Sequence, residues 1–143
     1  MPSTGHTDHL TPSQIEDLQQ KAAAAALHAY APYSNFRVGA ALLLADGSIS
    51  TGCNVENASY RLTVCAEQAA IASAVALHGP DIRIAAIAIA NLNASPSPPC
   101  GACRQTIYEF SSPGTLVFFP SASGTTSTTI AELLPHAFLL QSL

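Results

Sequence analysis

Apolar and polar positions occur in blocks along the chain, and the first group of blocks predicts β-strands. Residues 38–44 form a continuous apolar run, and Asp46 with Gly47 is a hairpin signal. Residues 48–54 alternate well enough to pair back as a second strand. The apolar run over 82–90 predicts a fully buried strand, because both of its faces are hydrophobic.

Helical signals lie before and between these strands. Thr11, Pro12 and Gln14 are typical of an N-cap, an N1 proline and a capping-box partner, and predict a helix through the alanine run to about Tyr30. A second helix is predicted over 65–77, because Ala, Glu, Gln and Ile recur there at helical spacing before Gly79 and Pro80.

The last third of the chain continues the alternation. The pattern predicts a helix over 100–110, a short strand over 116–119, a surface loop or weak strand over 121–129, and a short helix over 130–134 that Pro135 interrupts. Strands that alternate with helices after an antiparallel hairpin indicate an α/β fold. We expect a three-layer α/β/α domain with a mixed sheet of about five strands and helices on both faces.

The length and composition bound the domain organisation. A chain of 143 residues with 48% hydrophobic residues predicts a single domain, here 11–143, after a flexible tail over 1–10. Only 10% of the residues are charged, against about 25% in average globular proteins, so we expect part of the surface to be buried in an oligomer.

Charge and hydropathy exclude two classes of partner. The net charge is −4 and the five Lys and Arg residues are scattered, which argues against a nucleic-acid partner. The longest apolar run, 84–90, is far below the roughly 20 residues that span a bilayer, and the first nine residues do not resemble a signal peptide. We therefore expect a soluble, cytoplasmic protein with no membrane partner.

The candidate chemistry lies in two short motifs, TVCAE at 63–67 and PCGAC at 99–103. Cys65, Cys100 and Cys103 offer three thiolates, which would leave one position of a tetrahedral zinc ion open for water. Cys100 and Cys103 are three residues apart and so share a helix face. Two predicted helix N-termini would favour the thiolate forms.

Glu67 lies two residues after Cys65, about 200° round a helix, so the two side chains are poorly placed to bind one ion. A carboxylate beside a zinc-bound water can instead accept and return its proton. The alternative is a solvated Glu in the first turn of a helix. The two motifs together favour activated-water chemistry.

These residues resemble the zinc-dependent cytidine deaminases of nucleoside salvage, of the small homotetrameric type. The resemblance covers nearly the whole chain after Pro12. Further residues that carry it are Pro32, Tyr33, Ser34, Phe36, Val38, Gly39, Ala40, Ala41, Asn54, Glu56, Asn57, Tyr60, Arg104 and Gln105.

The resemblance implies hydrolytic deamination of cytidine and deoxycytidine to uridine and deoxyuridine with one Zn²⁺ per chain. Cys65, Cys100 and Cys103 would be the ligands, and Glu67 would carry protons to the ring N3 and the leaving amine. Substrate-binding residues implied in the same way are Phe36, Asn54, Glu56, Ala58, Tyr60 and Ala66. Among these, Asn54 and Glu56 would hold the ribose hydroxyls, and Glu56 would repel a phosphate.

The chain departs from the family pattern at two positions. Gln68 stands where most relatives have Arg, which leaves the charge of a zinc ion with three thiolates to be balanced otherwise. We hypothesise that Arg104 does so by donating hydrogen bonds to the sulfurs. Pro98 replaces a small polar residue but keeps the carbonyl that the family uses to accept a hydrogen bond from the substrate's amino group.

The resemblance also implies that neighbouring subunits of a homotetramer complete each site. Tyr33, Tyr60 and Phe138 are the candidates for this role, although ordinary core packing explains Tyr33 and Phe138 as well.

Three alternatives remain open from the sequence. The same chemistry could act on a modified or antibiotic nucleoside, or on a polynucleotide, which the low basic content disfavours. Cys53 or a His could close the site as a fourth ligand in a non-catalytic zinc module, although Cys53 is most simply a packing residue. A redox role for Cys100 and Cys103 would leave Cys65 and Glu67 without a purpose. Disulfides are disfavoured because nothing indicates secretion and three of the four cysteines lie in the two motifs.

Overall fold

The computed structural model describes residues 10–140. A five-stranded sheet forms the centre, with strands β1 (Val38–Leu44), β2 (Ile49–Cys53), β3 (Ile84–Asn91), β4 (Ser111–Ser121) and β5 (Gly124–Thr129) in the order β2-β1-β3-β4-β5. Only the β3–β4 pair is parallel, whereas the other three pairs are antiparallel. The sheet is therefore mixed, as the sequence predicts.

Four helices cover the two faces of this sheet: α1 (Pro12–Ala26), α2 (Ala66–His78), α3 (Gly101–Glu109) and α4 (Ile130–Leu133), with a 3₁₀ turn at Tyr60–Leu62. Helix α1 packs on one face, against a small core that includes Leu18, Ala41 and Phe118. Helices α2, α3 and α4 pack on the other face, over the larger core around Leu42 and Ile87. The three-layer α/β/α prediction is confirmed.

Small residues let two helices approach the sheet closely. A Cβ on Gly39 would lie 2.0 Å from the carbonyl oxygen of Ala22 in α1, and a Cβ on Gly52 would lie 2.4 Å from the backbone nitrogen of Ala70 in α2. Helix α2 is therefore held against the backbone of β2 near its N-terminus, which fixes the distance of that N-terminus from the sheet.

Element boundaries differ from the predictions at two places. Helix α1 ends at Ala26, four residues before the predicted end, because the chain turns there to bring Tyr30 against Val55 in an isolated bridge. Strand β4 begins at Ser111, ahead of the predicted start at 116, because Ile84 pairs with Ser111 before a register shift. The weak strand over 121–129 is present as β5.

The chain termini lie partly outside the described residues. The predicted flexible tail falls on 1–10, of which 1–9 are not described, while Leu10 packs against the core under α1. Among residues 10–140, no helix combines the length and apolarity needed to cross a bilayer.

Candidate metal and catalytic site

The N-termini of α2 and α3 meet beyond the carboxyl end of β3. Cys65 is the N-cap residue of α2, and Cys100 is the N-cap residue of α3. The sulfur of Cys100 accepts a hydrogen bond from the backbone nitrogen of Cys103 at 3.5 Å. Gln68 accepts one from the backbone nitrogen of Cys65 at 3.3 Å, which closes the first turn of α2. Both helices thus begin at a cysteine.

The sulfurs of Cys65, Cys100 and Cys103 all lie within 4.8 Å of one another. Within residues 10–140 this group contains no fourth His, Cys, Asp or Glu, and Cys53 lies outside it. Three close, soft donors fit zinc, and a three-ligand set leaves one position free for water. The donor chemistry therefore matches a catalytic zinc site better than a closed structural one.

The three thiols are close enough to shift one another's pKa. Hydrogen bonds from Cys103 and, to a lesser degree, Cys100 lower the pKa of Cys65 to about 7, against the opposing effects of burial and of Glu67. The pKa of Cys103 is raised, chiefly because its thiol donates to Cys65 and because it is buried. The cluster is therefore polarised toward one thiolate, as expected of groups built to bind a cation.

Glu67 lies in the first turn of α2 beside the sulfur cluster. It is only 5% exposed, and burial raises the pKa of its carboxyl, against smaller effects of its own backbone and of Cys103. It is not among the mutually close ligand atoms. A buried carboxyl with a raised pKa next to a metal centre is suited to carrying protons rather than to binding the ion.

A cavity of about 190 Å³ opens onto this cluster. Its walls come from three segments, the start of β1 with the loop before it, the residues around the start of α2, and the loop before α3. The lining residues are Phe36, Val38, Asn54, Thr63, Cys65, Ala66, Glu67, Ile89, Ser97, Pro98, Cys100 and Cys103. The cavity therefore unites the two sequence motifs with Phe36 and Asn54.

Asn54 is held rigidly at the wall of this cavity. Its side-chain oxygen accepts from the backbone nitrogen of Val38 at 2.9 Å, and its side-chain nitrogen donates to the carbonyl of Phe36 at 2.8 Å. The amide bridges the two residues that form the neighbouring wall, and its second N–H remains available to a ligand.

Three predicted substrate-binding residues, Glu56, Ala58 and Tyr60, do not line this cavity among the described residues. Ala58 and Tyr60 are exposed, and the Tyr60 ring stands edge-on to Tyr33 with centroids 6.3 Å apart. A single chain therefore brings together only part of the predicted binding set.

Glu56 is buried and holds the loop that carries Tyr33 and Ser34. One carboxylate oxygen accepts from the backbone nitrogens of Tyr33 at 2.9 Å and Ser34 at 3.2 Å, and the other accepts from the Ser34 hydroxyl. The Ser34 hydroxyl is the largest cause of the lowered pKa of Glu56. Glu56 is therefore ionised at neutral pH, and a carboxylate has lone pairs beyond these three bonds.

Arg104 lies next to Cys103, but its guanidinium donates to backbone carbonyls. Nε donates to the carbonyl of Pro99 at 2.8 Å, and Nη1 donates to that of Leu133 at 3.0 Å. The structure therefore does not show the hypothesised hydrogen bonds from Arg104 to the sulfurs. The guanidinium donates instead to two backbone carbonyls that lie within its reach.

Sequence reasoning missed Thr63 and Ser97 as cavity-lining residues. The Thr63 hydroxyl is a buried side-chain oxygen without a hydrogen-bond partner among the described residues. The available signal was position, since each residue lies two before a motif residue, Cys65 or Pro99.

Comparison with known proteins agrees with this geometry. Residues 12–119 match the family model described as the cytidine and deoxycytidylate deaminase zinc-binding region. Among characterised relatives, a cytidine deaminase of Halalkalibacterium halodurans is 46% identical over 116 residues, which are 80% of this chain and 86% of the relative. One from Mycobacterium tuberculosis is 42% identical over 126 residues, covering 88% and 90% of the two chains.

Solved structures give the same result. The crystal structure of a cytidine deaminase from Burkholderia pseudomallei superposes with a TM-score of 0.79 at 44% identity, covering 90% of this chain and 100% of that one. The structure of the Mycobacterium tuberculosis enzyme superposes with a TM-score of 0.77 at 40% identity, covering 88% and 98%.

Proposed function

This chain belongs to the family of the cytidine and deoxycytidylate deaminase zinc-binding region, and from that premise we propose that it hydrolyses cytidine and deoxycytidine to uridine and deoxyuridine with release of ammonia. The observation that carries this function is the group of three sulfurs within 4.8 Å of one another at the floor of a cavity that Glu67 also lines.

Zinc is the cofactor, one ion per chain, held by Cys65, Cys100 and Cys103. When bound, it supplies the Lewis acidity that makes a water molecule nucleophilic at neutral pH. Gln68 supports this ligand set from outside through its bond to the backbone of Cys65. With three sulfurs as its protein ligands, the ion would have a position left for water, next to the cavity that would receive the substrate.

Glu67 moves the protons of the reaction. Water adds to C4 of the cytosine ring, and Glu67 accepts the proton that the water loses. The carboxyl first delivers this proton to the ring N3. It then accepts the proton of the hydroxyl now on C4 and delivers it to the amino group, so that the C4=O bond forms as the C4–N bond breaks and ammonia leaves. Its burial suits this work, because a raised pKa brings the carboxyl closer to the operating pH.

The cavity walls suggest how the base is held. The ring would lie near Phe36, the backbone of Ala66 would contact the edge of the base, and the carbonyl of Pro98 would accept from the amino group. Asn54 has one N–H free for the sugar. A volume of about 190 Å³ is below the roughly 300–1,000 Å³ of complete small-molecule sites, so one chain encloses the ring and leaves the ribose at the mouth.

Glu56 favours a nucleoside over a nucleotide. It is ionised and lies two residues from Asn54, so a phosphate on the sugar would meet a negative charge there. The same carboxylate can accept from ribose hydroxyls with the lone pairs that Tyr33 and Ser34 leave free.

A homotetramer would complete each site at the mouth. Of the twelve exposed large apolar residues in the described part of the chain, nine lie within residues 30–64 or in the C-terminal segment: Tyr30, Tyr33, Val55, Tyr60, Leu62, Val64, Phe138, Leu139 and Leu140. Few charged residues are available to solvate such a surface. In this arrangement a neighbouring subunit supplies Ala58, Tyr60 and Phe138 to the site.

Mixing two inactive variants tests the shared site. Glu67→Gln subunits keep Tyr60, and Tyr60→Ala subunits keep Glu67, so co-refolding the two should restore activity that neither has alone if sites are shared. A sedimentation experiment gives the subunit number. Recovery no greater than the sum of the separate variants would contradict the shared site.

We place the enzyme in the cytoplasm and in pyrimidine salvage. The four cysteines are free, and the three that would bind zinc must stay reduced, which supports a location under the reducing conditions of the cytosol. A free nucleoside substrate is also the starting material of salvage reactions.

Ultraviolet absorbance of purified protein with cytidine, deoxycytidine and cytidine monophosphate tests the substrate class. We expect turnover of both nucleosides and at least tenfold lower kcat/KM for the nucleotide. Folded, zinc-loaded protein that turns over none of the three would contradict the proposal and direct the search to modified nucleosides.

A further inference from the structure

Arg104 joins three separate parts of the chain. Its backbone belongs to α3, directly after the ligand Cys103, and its side chain bonds Pro99 in the loop before α3 and Leu133 at the end of α4. The neighbouring Gln105 donates from its side-chain amide to the carbonyl of Phe138 at 2.9 Å. Two consecutive residues of α3 thus fasten the end of α4 and the C-terminal segment, residues 134–140.

The two carbonyls that accept from Arg104 lie where a helix supplies no backbone N–H to pair with them. Pro99 precedes the N-cap of α3 and is buried, and Leu133 lies in the last turn of α4. A guanidinium is planar and carries N–H donors on more than one edge, so one Arg can donate to both carbonyls at once. The ammonium group of a Lys is a compact point charge and would pair with both carbonyls less well. The side chain turns back toward the helix N-terminus, as long side chains on helices do.

The loop residue that Arg104 fixes is next to a metal ligand. Cys100 is exposed, whereas Cys103 is buried and Cys65 half-buried, so Cys100 is the ligand least constrained by packing. Its position depends on the direction of the Pro99–Cys100 peptide, which the 2.8 Å bond to Arg104 holds. Groups that orient ligands in this way tune metal affinity.

We propose that Arg104 is a positioning residue that couples the Cys100 ligand to α4 and the C-terminal segment, so that metal binding and docking of that segment stabilise each other. This rests on the proposed zinc site. Such coupling is reciprocal, since a segment that improves metal binding must itself be held better when the metal is bound.

The test compares Arg104→Met, which keeps the length but removes every donor, with Arg104→Lys, which keeps one charged donor. Arg83→Met is the matched control, because Arg83 also donates to a backbone carbonyl, that of Ile82 at 3.0 Å, and its loss changes the net charge equally. Gln105→Ala removes only the bond to Phe138. The readouts are the rate of zinc transfer to a colorimetric chelator and amide hydrogen exchange over 97–103 and 134–140.

We expect Arg104→Met to release zinc about 10- to 100-fold faster than wild type, with Arg104→Lys between them and Arg83→Met unchanged. In wild type, removing zinc should speed exchange over 134–140, and Arg104→Met should abolish that response. Gln105→Ala should speed exchange over 134–140 with little change in zinc release.

Zinc release and exchange in Arg104→Met equal to those of Arg83→Met would overturn the proposal. If Arg104→Met does not fold, Arg104→Lys decides the question by the same two readouts. A wild type that binds no zinc would overturn the proposed function instead, and exchange over the two segments in the metal-free variants would still test the Arg104 bridge.

Discussion

The two helix N-termini of the site begin in the same way but are supported differently. Cys65 and Cys100 are both N-cap residues, yet α2 rests on the backbone of β2 at Gly52, whereas the start of α3 at Gly101 has no atoms within 4 Å of a would-be Cβ. The first half of the site is held by close packing. In the second half, the body of α3 is packed on the core, but the loop before its N-terminus is held by hydrogen bonds, chiefly those of Arg104.

This difference follows the chemistry that each half performs. The packed half carries Glu67, and the proton transfers that we propose for it would depend on an accurate position relative to the substrate. The other half carries the exposed Cys100 and the loop with Pro98, which lines the cavity. Close packing thus supports Glu67, and hydrogen bonds support the loop before α3 that also lines the cavity.

The largest expected effect comes from removing a ligand in either half. Cys100→Ala and Cys65→Ala should both lose bound zinc and lower kcat/KM by more than about a hundredfold, because two sulfurs hold the ion poorly and its Lewis acidity is lost. Cys53→Ala is the control, since Cys53 is outside the cluster. Metal analysis and activity check this, and zinc loss in Cys53→Ala would instead indicate a closed structural site.

A pair of glycine substitutions separates the two kinds of support. Gly52→Ala places a methyl group 2.4 Å from the backbone of Ala70, so we expect a loss of stability of about 1–3 kcal/mol and a lower kcat as α2 shifts. Gly101→Ala meets no atoms and should stay within about 0.5 kcal/mol of wild type or exceed it. Urea unfolding and kinetics measure both, and equal effects would show that the halves are supported alike.

Glu56 offers a third comparison, between its hydrogen bonds to the loop with Tyr33 and Ser34 and its proposed binding of the ribose. Glu56→Gln should raise KM and lower Tm by a few degrees, whereas Ser34→Ala, which removes only the hydroxyl bond, should lower Tm with less change in KM. The lowered pKa means that the bonds stabilise the fold fully above the ordinary value of 4.5 and are lost as pH falls through the lower folded value. A Tm difference between wild type and Glu56→Gln that persists unchanged to pH 2 would contradict this account.

The smallest effect concerns the unpaired hydroxyl of Thr63. Thr63→Val removes a buried oxygen without a partner among the described residues, so it should stabilise the ligand-free protein by about 1 kcal/mol. Thr63→Ser keeps the oxygen and serves as the control. Thermal unfolding decides the matter, and a less stable Thr63→Val would mean that the hydroxyl has a partner such as an ordered water.

Much of the fold follows from local pattern. The hairpin over β1 and β2, the capping box of Thr11 and Gln14, and the start of α2 at Cys65 agree with the predictions. The extension of β4 back to Ser111 was not predictable, because it depends on the pairing of Ser111 with Ile84 of β3, which is distant in sequence.

The ligand set was predictable from spacing and donor chemistry, and the structure confirms that the three sulfurs converge. The hydrogen bonds that hold these residues and their loops in place were not predictable. Arg104 reaches Leu133, which is 29 residues away in sequence, and Glu56 reaches Tyr33 across 23 residues. Such partners depend on how the layers pack, and a motif read along the chain carries no information about them.

The most direct test of the account compares wild type with Glu67→Gln, each analysed for zinc before cytidine is added. We predict about one zinc per chain in both proteins, deamination by wild type, and a rate about 10²- to 10⁴-fold lower in Glu67→Gln, because the proton carrier is lost while the ligand set remains. Glu67→Gln with full zinc and an undiminished rate would contradict the assignment of Glu67, and Glu67→Gln without zinc would make Glu67 part of the ligand set.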